Sequence, residues 1–255
     1  MTYRFISLEV KDKVASITLQ REPLNVLNIA MMKEINAALD SLSGQNDLAI
    51  LTFKAQGKAF SAGVDVGEHL GDLVREMIEV FHGIFRRMDK LGLVSVGAVQ
   101  GAALGGGCEL AVYCDLLLAS TKARFGQPEI LVGVLPPIAA LVMPRIMGRK
   151  KAMELILTGD TITADEAKSL GLVNKVVEPD QLEAELEALL AKLRGLSPLV
   201  LKKTRKAVMD GLKDQAAEGL AVIEKIYLDE LMTSQDAEEG LKAFLEKRKP
   251  AWRNK

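Results

Sequence analysis

The sequence predicts an α/β fold with one main core, on three observations. Short apolar runs of strand length alternate with amphipathic stretches of helical period, and glycines fall where those stretches should stop. The chain has 255 residues, 49% of them hydrophobic, which is ample for one large core or a core with a helical appendage. Phe5 to Val10 and Val14 to Leu19 flank the polar turn Lys11-Asp12-Lys13 and read as a hairpin. Ile29, Met32, Ile35, Leu39 and Leu42 then step by three or four along one helix face that Gly44 closes. Leu48 to Phe53 is nearly all apolar, the pattern of a strand covered on both faces.

After a loop from Ala55 to Gly67, the apolar positions from Leu70 to Met88 describe a long amphipathic helix, and Leu93 to Val99 reads as a strand. Gly101 to Gly107 reads as one turn leading into a short helix over Glu109 to Tyr113, followed by a strand over Asp115 to Ala119. Strand, strand, helix recurs weakly, without a clear sequence repeat. From about residue 138 the pattern is mainly helical. Thr163-Ala-Asp-Glu166 is a capping box for a short helix that Gly171 closes, and Ser197-Pro198 is an N-cap followed by a first-turn proline. Leu182, Leu186, Leu189, Leu190 and Leu193 form a further stripe. No low-complexity linker interrupts the chain, so the expected organisation is a core over residues 1–195 with a helical C-terminal region over 196–255.

Thirty-three basic and thirty-four acidic residues leave a formal charge of -1, which argues against a global attraction to nucleic acid or membrane. Charges at Arg4, Glu9, Lys11 and Asp12 break any signal-peptide core, and no apolar run is long enough to span a bilayer. Cys108 and Cys114 lack metal-ligand spacing and read as reduced buried thiols, so a cytoplasmic protein without a metal is expected.

The chemistry-bearing candidates are two glycine turns and two glutamates. Gly101-Ala-Ala-Leu-Gly105-Gly106-Gly107-Cys108-Glu109 joins a strand to a helix, where backbone N–H groups can face negative charge. Lys58 to Asp65, with Gly63, is a similar turn, and two such turns can aim two N–H groups at one oxygen. The same glycines would also serve tight turns and close packing, while the G-x-G-x-x-G spacing of a dinucleotide loop is not met. Glu109 and Glu129 have apolar sequence neighbours, a setting that disfavours the charged form and suits acid–base work. Either one alone also fits a helix N-terminal charge or an ion pair. Asp65 reads as a helix cap, Cys108 as packing, His69 as within reach of the pocket, and His82 as lying at the edge of its helix or exposed. The basic run Lys202, Lys203, Arg205 and Lys206 is the one feature favouring an RNA-binding module, and a solvated helix face explains it equally well.

Ala59-Phe-Ser-Ala-Gly63-Val-Asp65, Gly101-x-x-Leu-Gly-Gly-Gly-Cys-Glu109-Leu, Phe125-Gly-Gln-Pro-Glu129, Leu157-Thr-Gly-Asp160, Ala164-x-Glu-Ala-x-x-x-Gly171-Leu-Val-Asn174 and Ala243-Phe-Leu-Glu-Lys-Arg248-Lys-Pro occur in this order over nearly the whole chain. Together they resemble the enoyl-CoA hydratase/isomerase (crotonase) family. The resemblance implies a spiral of ββα units with a helical C-terminal trimerisation region, and a homotrimer or a dimer of trimers. It implies an acyl-CoA thioester substrate whose CoA is part of the substrate, with no separate cofactor. It implies that Val64 and Gly106 N–H groups hold the thioester oxygen while Glu109 and Glu129 share the acid–base work. It places CoA-binding surfaces at Val64, Asp65, Val66, Gly67 and Gly106 and at the Arg21 to Asn25 region including Leu24, with Lys242 and Lys247 either near the phosphates, of this or a neighbouring chain, or simply on a solvated basic helix face. An isomerase, or a non-catalytic CoA-binding member of the fold, remains as an alternative.

One segment departs from the family pattern. Gly133-Val-Leu-Pro136-Pro137-Ile-Ala-Ala140 stands where typical short-chain hydratases carry a glycine-rich run, and the proline pair stiffens that wall of the acyl pocket. With Val64 to Leu70 and Phe81-His82, this segment resembles cyclohexa-1,5-diene-1-carbonyl-CoA hydratases, which implies a cyclic dienoyl substrate.

Overall fold

The N-terminal hairpin forms where the alternation predicts it. In a computed structural model, which describes residues 2–212 and 216–251, β1 (Ile6–Lys11) pairs antiparallel with β2 (Val14–Leu19). Asp12 and Lys13 turn the chain at φ 48° and 67°, the left-handed pair that a two-residue hairpin needs. α1 (Ile29–Ser41) starts at Asn28, whose side chain accepts from the Met31 N–H at 3.0 Å, and buries Met31, Met32, Ile35 and Leu39. β3 (Ile50–Ala55) runs parallel to β2, and α2 (Leu73–Leu91) ends at Gly92 in the left-handed region. β4 (Val94–Val99) is buried throughout.

The Gly101 to Gly107 stretch is not a single turn. It contains a short strand, β5 (Ala102–Leu104), before α3 (Gly106–Val112). β6 (Leu116–Ser120), β7 (Arg124–Gly126), α4 (Pro137–Met147) and α5 (Arg149–Thr158) follow. β8 (Thr161–Thr163) then leads into α6 (Ala164–Ser169), which has both hydrogen bonds of the capping box expected at Thr163 and Glu166. β9 (Lys175–Val177), α7 (Leu182–Arg194), α8 (Pro198–Gly211), α9 (Ala216–Lys225), a π-helical turn over Ile226–Leu231 and α10 (Gln235–Leu245) complete the described chain.

The strands form two sheets, one ordered β1-β2-β3-β4-β6-β9 and the other β5-β7-β8. Each winding gives one strand to the large sheet, a short one to the small sheet, and then a helix: β4-β5-α3, then β6-β7-α4. In the winding before them, an isolated bridge from Ser61 to Ala103 stands in for the short strand ahead of α2. This is the expected ββα spiral. The C-terminal region joins the same apolar core, in which Tyr227 and Leu241 are buried with residues of the first two hundred.

His82 is a correction. Expected at an edge or exposed, it is fully buried on α2, because α9 docks over that face and Glu224 covers the ring. Its Nδ1–H donates to Glu224 Oε1 at 2.6 Å, and Arg86 pairs with the same carboxylate.

The basic run on α8 also differs from a free cationic face. Arg205 is only 8% exposed, donating from Nε to Asp115 Oδ2 at 2.8 Å and approaching Asp89 at 3.4 Å. Lys206 pairs with Asp210, and Lys202 donates to the Asn46 carbonyl. Asp115 Oδ2 also accepts from the N–H and Oγ–H of Ser95, so Arg205 clamps α8 to the end of β4. Arg205→Met should lower unfolding free energy by about 2 to 3 kcal/mol, the low end for a broken buried pair because Asp115 keeps Ser95 as a partner. Urea denaturation measures this, and an unchanged midpoint would show that the clamp adds no stability.

Candidate active site

Two loops meet at backbone contact beside α3. The Leu27 N–H donates to Gly63 O at 2.8 Å and the Asp65 N–H donates to Leu27 O at 3.0 Å, so the intervening Val64 N–H points away from that bridge. Gly106 opens α3, and its N–H lies in the unsatisfied first turn. Among the described residues neither N–H donates to a protein acceptor. Gly63, at φ 109°, faces the second loop: a Cβ there would lie 3.3 Å from Leu104 O and 3.8 Å from Gly106 N. A Cβ on Gly107 would lie 2.5 Å from Ser61 O, a separation that real Cβ atoms do not tolerate. Close packing and ligand approach are therefore one use of these glycines, since the contact that excludes side chains also sets two free donors side by side. Asp65 caps the following turn, Val66–His69, by accepting from the Gly67 N–H at 3.0 Å.

The two glutamates come together in front of those donors. Glu109, in the first turn of α3, is buried at 2% exposure, and its Oε1 accepts from the Ala139 N–H at 2.8 Å. Ala139 lies in the first turn of α4, where Pro137 takes a position that needs no N–H and the next amides remain free to donate. Glu129 sits in the 3-10 turn Pro128–Val132, half-buried against the cavity. Its Oε1 occupies the space that a Cβ on Gly105 would need, 2.5 Å away, and Gly105 has φ 49°. Its Oε2 is shielded from solvent with no partner among the described residues.

These settings pull the two carboxyls apart. Burial pushes Glu109 up to about 7, a rise held back by the N–H groups of Ala139 and Ile138. Burial and then the neighbouring Glu109 charge push Glu129 well above the ordinary carboxylate range. Near neutral pH the pair shares one proton, held on Glu129, and one charge, held on Glu109 at the helix N-terminus.

A cavity of about 440 Å³ joins these groups. Val64, Gly106, Glu109 and Glu129 line it, with Val66, Leu135 and Pro137 among its apolar walls. His69 also lines it; the Nδ1–H donates to Asp65 O at 2.9 Å and burial lowers the ring's pKa, leaving a neutral imidazole with Nε2 as an acceptor. Five expected contacts lie outside the cavity lining, Asp65 and Gly67 among them because they are taken up by the cap of the Val66–His69 turn. Leu24 is exposed on the rim, its carbonyl accepting from the Ala62 N–H, while Lys242 pairs with Glu238 and Lys247 is exposed after α10. Cys108 is buried and its thiol is pushed far up by burial, a packing residue with no nucleophilic character. Sequence reasoning missed the cavity roles of Tyr227 and Leu241, which carry no motif that marks them, and of Phe244, which belongs to the C-terminal motif but was given no role there.

The Enoyl-CoA hydratase/isomerase family model matches residues 9–255. The chain belongs to this family. It is 37% identical to a probable enoyl-CoA hydratase of Rhizobium meliloti over 258 residues, covering 100% of both chains. It is 34% identical to a crotonyl-CoA hydratase of Syntrophomonas wolfei, covering 98% of each. A crystal structure of an enoyl-CoA hydratase from Mycobacterium avium subsp. paratuberculosis superposes with a TM-score of 0.88 at 26% identity, covering 99% of this chain and 100% of that one. The two-sheet ββα spiral is the crotonase fold.

The buried pair has a cost that pH reveals. A carboxyl raised from 4.5 to about 7 stabilises the fold fully only below its unfolded value, and that contribution is lost as pH rises through 7. The double variant Glu109→Gln/Glu129→Gln should therefore melt above the wild type at pH 8. The gain should be on the order of 3 kcal/mol from Glu109 alone, shrinking as pH falls toward 4.5. Thermal denaturation across that range reads it, and equal melting at pH 8 would mean that the pair is not strained.

Proposed function

We propose that this protein is an enoyl-CoA hydratase, adding water across the α,β double bond of an acyl-CoA thioester. One observation carries the reading: two glutamates whose pKa values are driven apart share a cavity with two unpartnered N–H groups. The thioester oxygen takes the N–H groups of Val64 and Gly106, which stabilise the enolate charge developing there; one such donor is typically worth about 10²- to 10³-fold in rate. Glu109, ionised, accepts a proton from water as its oxygen bonds to the β-carbon. Glu129, protonated, delivers its proton to the α-carbon as the π bond is consumed. The proton left on Glu109 returns to Glu129 before the next turnover. CoA enters as part of the substrate, with Leu24 and the Val64 to Gly67 segment as its adenine and pantetheine surfaces and Lys247 available to a phosphate.

The acyl group is a cyclic dienoyl in this reading, on the strength of the wall formed by Leu135 and Pro137 where typical relatives carry glycines. Pro137 fixes both that wall and the helix start that holds Glu109, so pocket shape and acid–base chemistry are set by one rigid segment. Cytoplasmic residence belongs to the same proposal and is supported by two buried, unpaired cysteines.

Mass spectrometry on a panel of linear and cyclic enoyl-CoA esters, crotonyl-CoA and a cyclohexadienoyl-CoA among them, tests the reaction and the substrate together. A product heavier by one water is expected, largest for the cyclic ester. A shifted double bond at unchanged mass would make the protein an isomerase. Glu109→Gln and Glu129→Gln should each lose about 10³-fold in kcat while still binding the ester. The kcat profile should be bell-shaped, rising through about 7 as the pair loses its first proton and falling when Glu129 loses the second.

The expected homotrimer, or pair of trimers, is also proposed here. Leu196, Leu199, Val200, Val208 and Leu212 are exposed on and beside α8, an apolar surface suited to a second copy of the chain. Light scattering should give three or six times the 27.7 kDa chain mass, and a monomer at micromolar concentration would exclude both assemblies.

A further inference from the structure

Tyr227 is a polar group in the cavity that the mechanism above leaves unused, and unlike the His69 ring its hydroxyl has no hydrogen-bond partner among the described residues. It is 1% exposed, with the hydroxyl itself buried. It lines the same cavity as Glu109 and Glu129. Burial, then the charges of Glu109 and Glu129, hold its hydroxyl far above the ordinary tyrosine range, so it stays a donor at every working pH. Glu129, which lines the same cavity, also has a buried oxygen, Oε2, with no partner among the described residues.

The backbone that places Tyr227 is unusual as well. The segment Ile226–Leu231 is a π-helical turn, and the Met232 N–H donates to Tyr227 O at 2.9 Å, five residues back. Such turns are rare and concentrate at functional sites, because the extra residue re-aims a side chain. Phenylalanine would fill the same apolar space without burying an unsatisfied hydroxyl. The hydroxyl therefore calls for a ligand, and a water with two or more polar partners is the smallest that fits.

Building on the hydratase reading, we propose that Tyr227 is a third catalytic residue, which donates its O–H to the oxygen of the reacting water. The water then gives one hydrogen to Glu109 and the other to the unprotonated oxygen of Glu129, whose protonated oxygen faces the α-carbon. Two donated hydrogens and one accepted bond leave a single lone pair on the water, aimed at the β-carbon. In dehydration the same O–H supports the departing oxygen, so both directions depend on it equally. No new bond or co-reactant enters, and the balance of the hydration step is unchanged.

Tyr227→Phe removes only the hydroxyl. It is to be assayed on the best-hydrated ester of the panel, in both directions, alongside deuterium exchange at the α-carbon of butyryl-CoA. That exchange forms the enolate without adding water. Hydration and dehydration kcat should both fall about tenfold or more. KM should stay within about twofold, exchange should persist, and the melting temperature should hold or rise because an unsatisfied buried group is gone. Unchanged hydration would overturn the proposal. So would exchange falling in step with hydration, which would place Tyr227 on the enolate, or a loss confined to KM or to esters bearing an extra oxygen, which would make it a reader of the acyl group. A wild type that hydrates no ester of the panel would remove the hydratase reading itself, and that outcome is visible before the variant is made.

Discussion

Backbone contact between the two glycine-bearing loops is the constraint on which the rest of the site depends. Gly107 lies against Ser61 O at a distance that leaves no room for a Cβ, and Gly63, at φ 109°, packs closely on Leu104 O and Gly106 N. The Ser61 to Ala103 bridge sets their register, and β5 joins the second loop to the small sheet. This contact makes Val64 and Gly106 neighbours and directs both free N–H groups into one cavity. It also starts α3 where Glu109 falls in the first turn, and it leaves Gly105 bare so that Glu129 can pack on it. The donors and both carboxylates are thus positioned by one junction between windings of the spiral.

The electrostatics follow from that placement. Two neighbouring carboxyls lining one cavity cannot both ionise cheaply, and burial alone would raise both. The asymmetry comes from α4, whose first-turn amides face Glu109 and not Glu129. Pro137 fixes where that helix begins, so the departure from the usual glycine-rich segment bears on acid–base division as much as on pocket shape. Ile138 and Ala139, buried just behind it, keep water from competing for the same carboxylate.

Legibility in the sequence tracks the length of the signal. The hairpin, α1, α2 and β4 are readable because each carries five or more patterned residues, and the caps at Thr163 and Ser197 obey local chemistry. β5, β7 and β8, which make the whole small sheet, have three residues each, too few for any period, so that sheet has no sequence signal and β5 reads as part of a turn. Glu109 and Glu129 could be singled out from their apolar neighbours, and their roles came from the resemblance. Their meeting depended on a sheet that has no sequence pattern. His82 was misplaced for a related reason: helical periodicity describes one buried face, and α2 is covered on a second face by α9.

That second covering ties the C-terminal helices to the chemistry. Phe81 lines the cavity, and the next residue, His82, holds Glu224 at 2.6 Å. Just beyond Glu224 the chain widens into the π-helical turn, and Tyr227, three residues on, lines the cavity. The His82–Glu224 hydrogen bond and the tyrosine therefore lie within one short stretch of chain, with Leu241 and Phe244 of α10 adding to the cavity wall. The His82 ring is fully buried and its Nε2 has no partner among the described residues, so the pairing at Nδ1 is its principal compensation. A helical region that reads in sequence as a cover for the core is thus also a wall of the cavity, bringing to it a hydroxyl that the ββα windings do not supply.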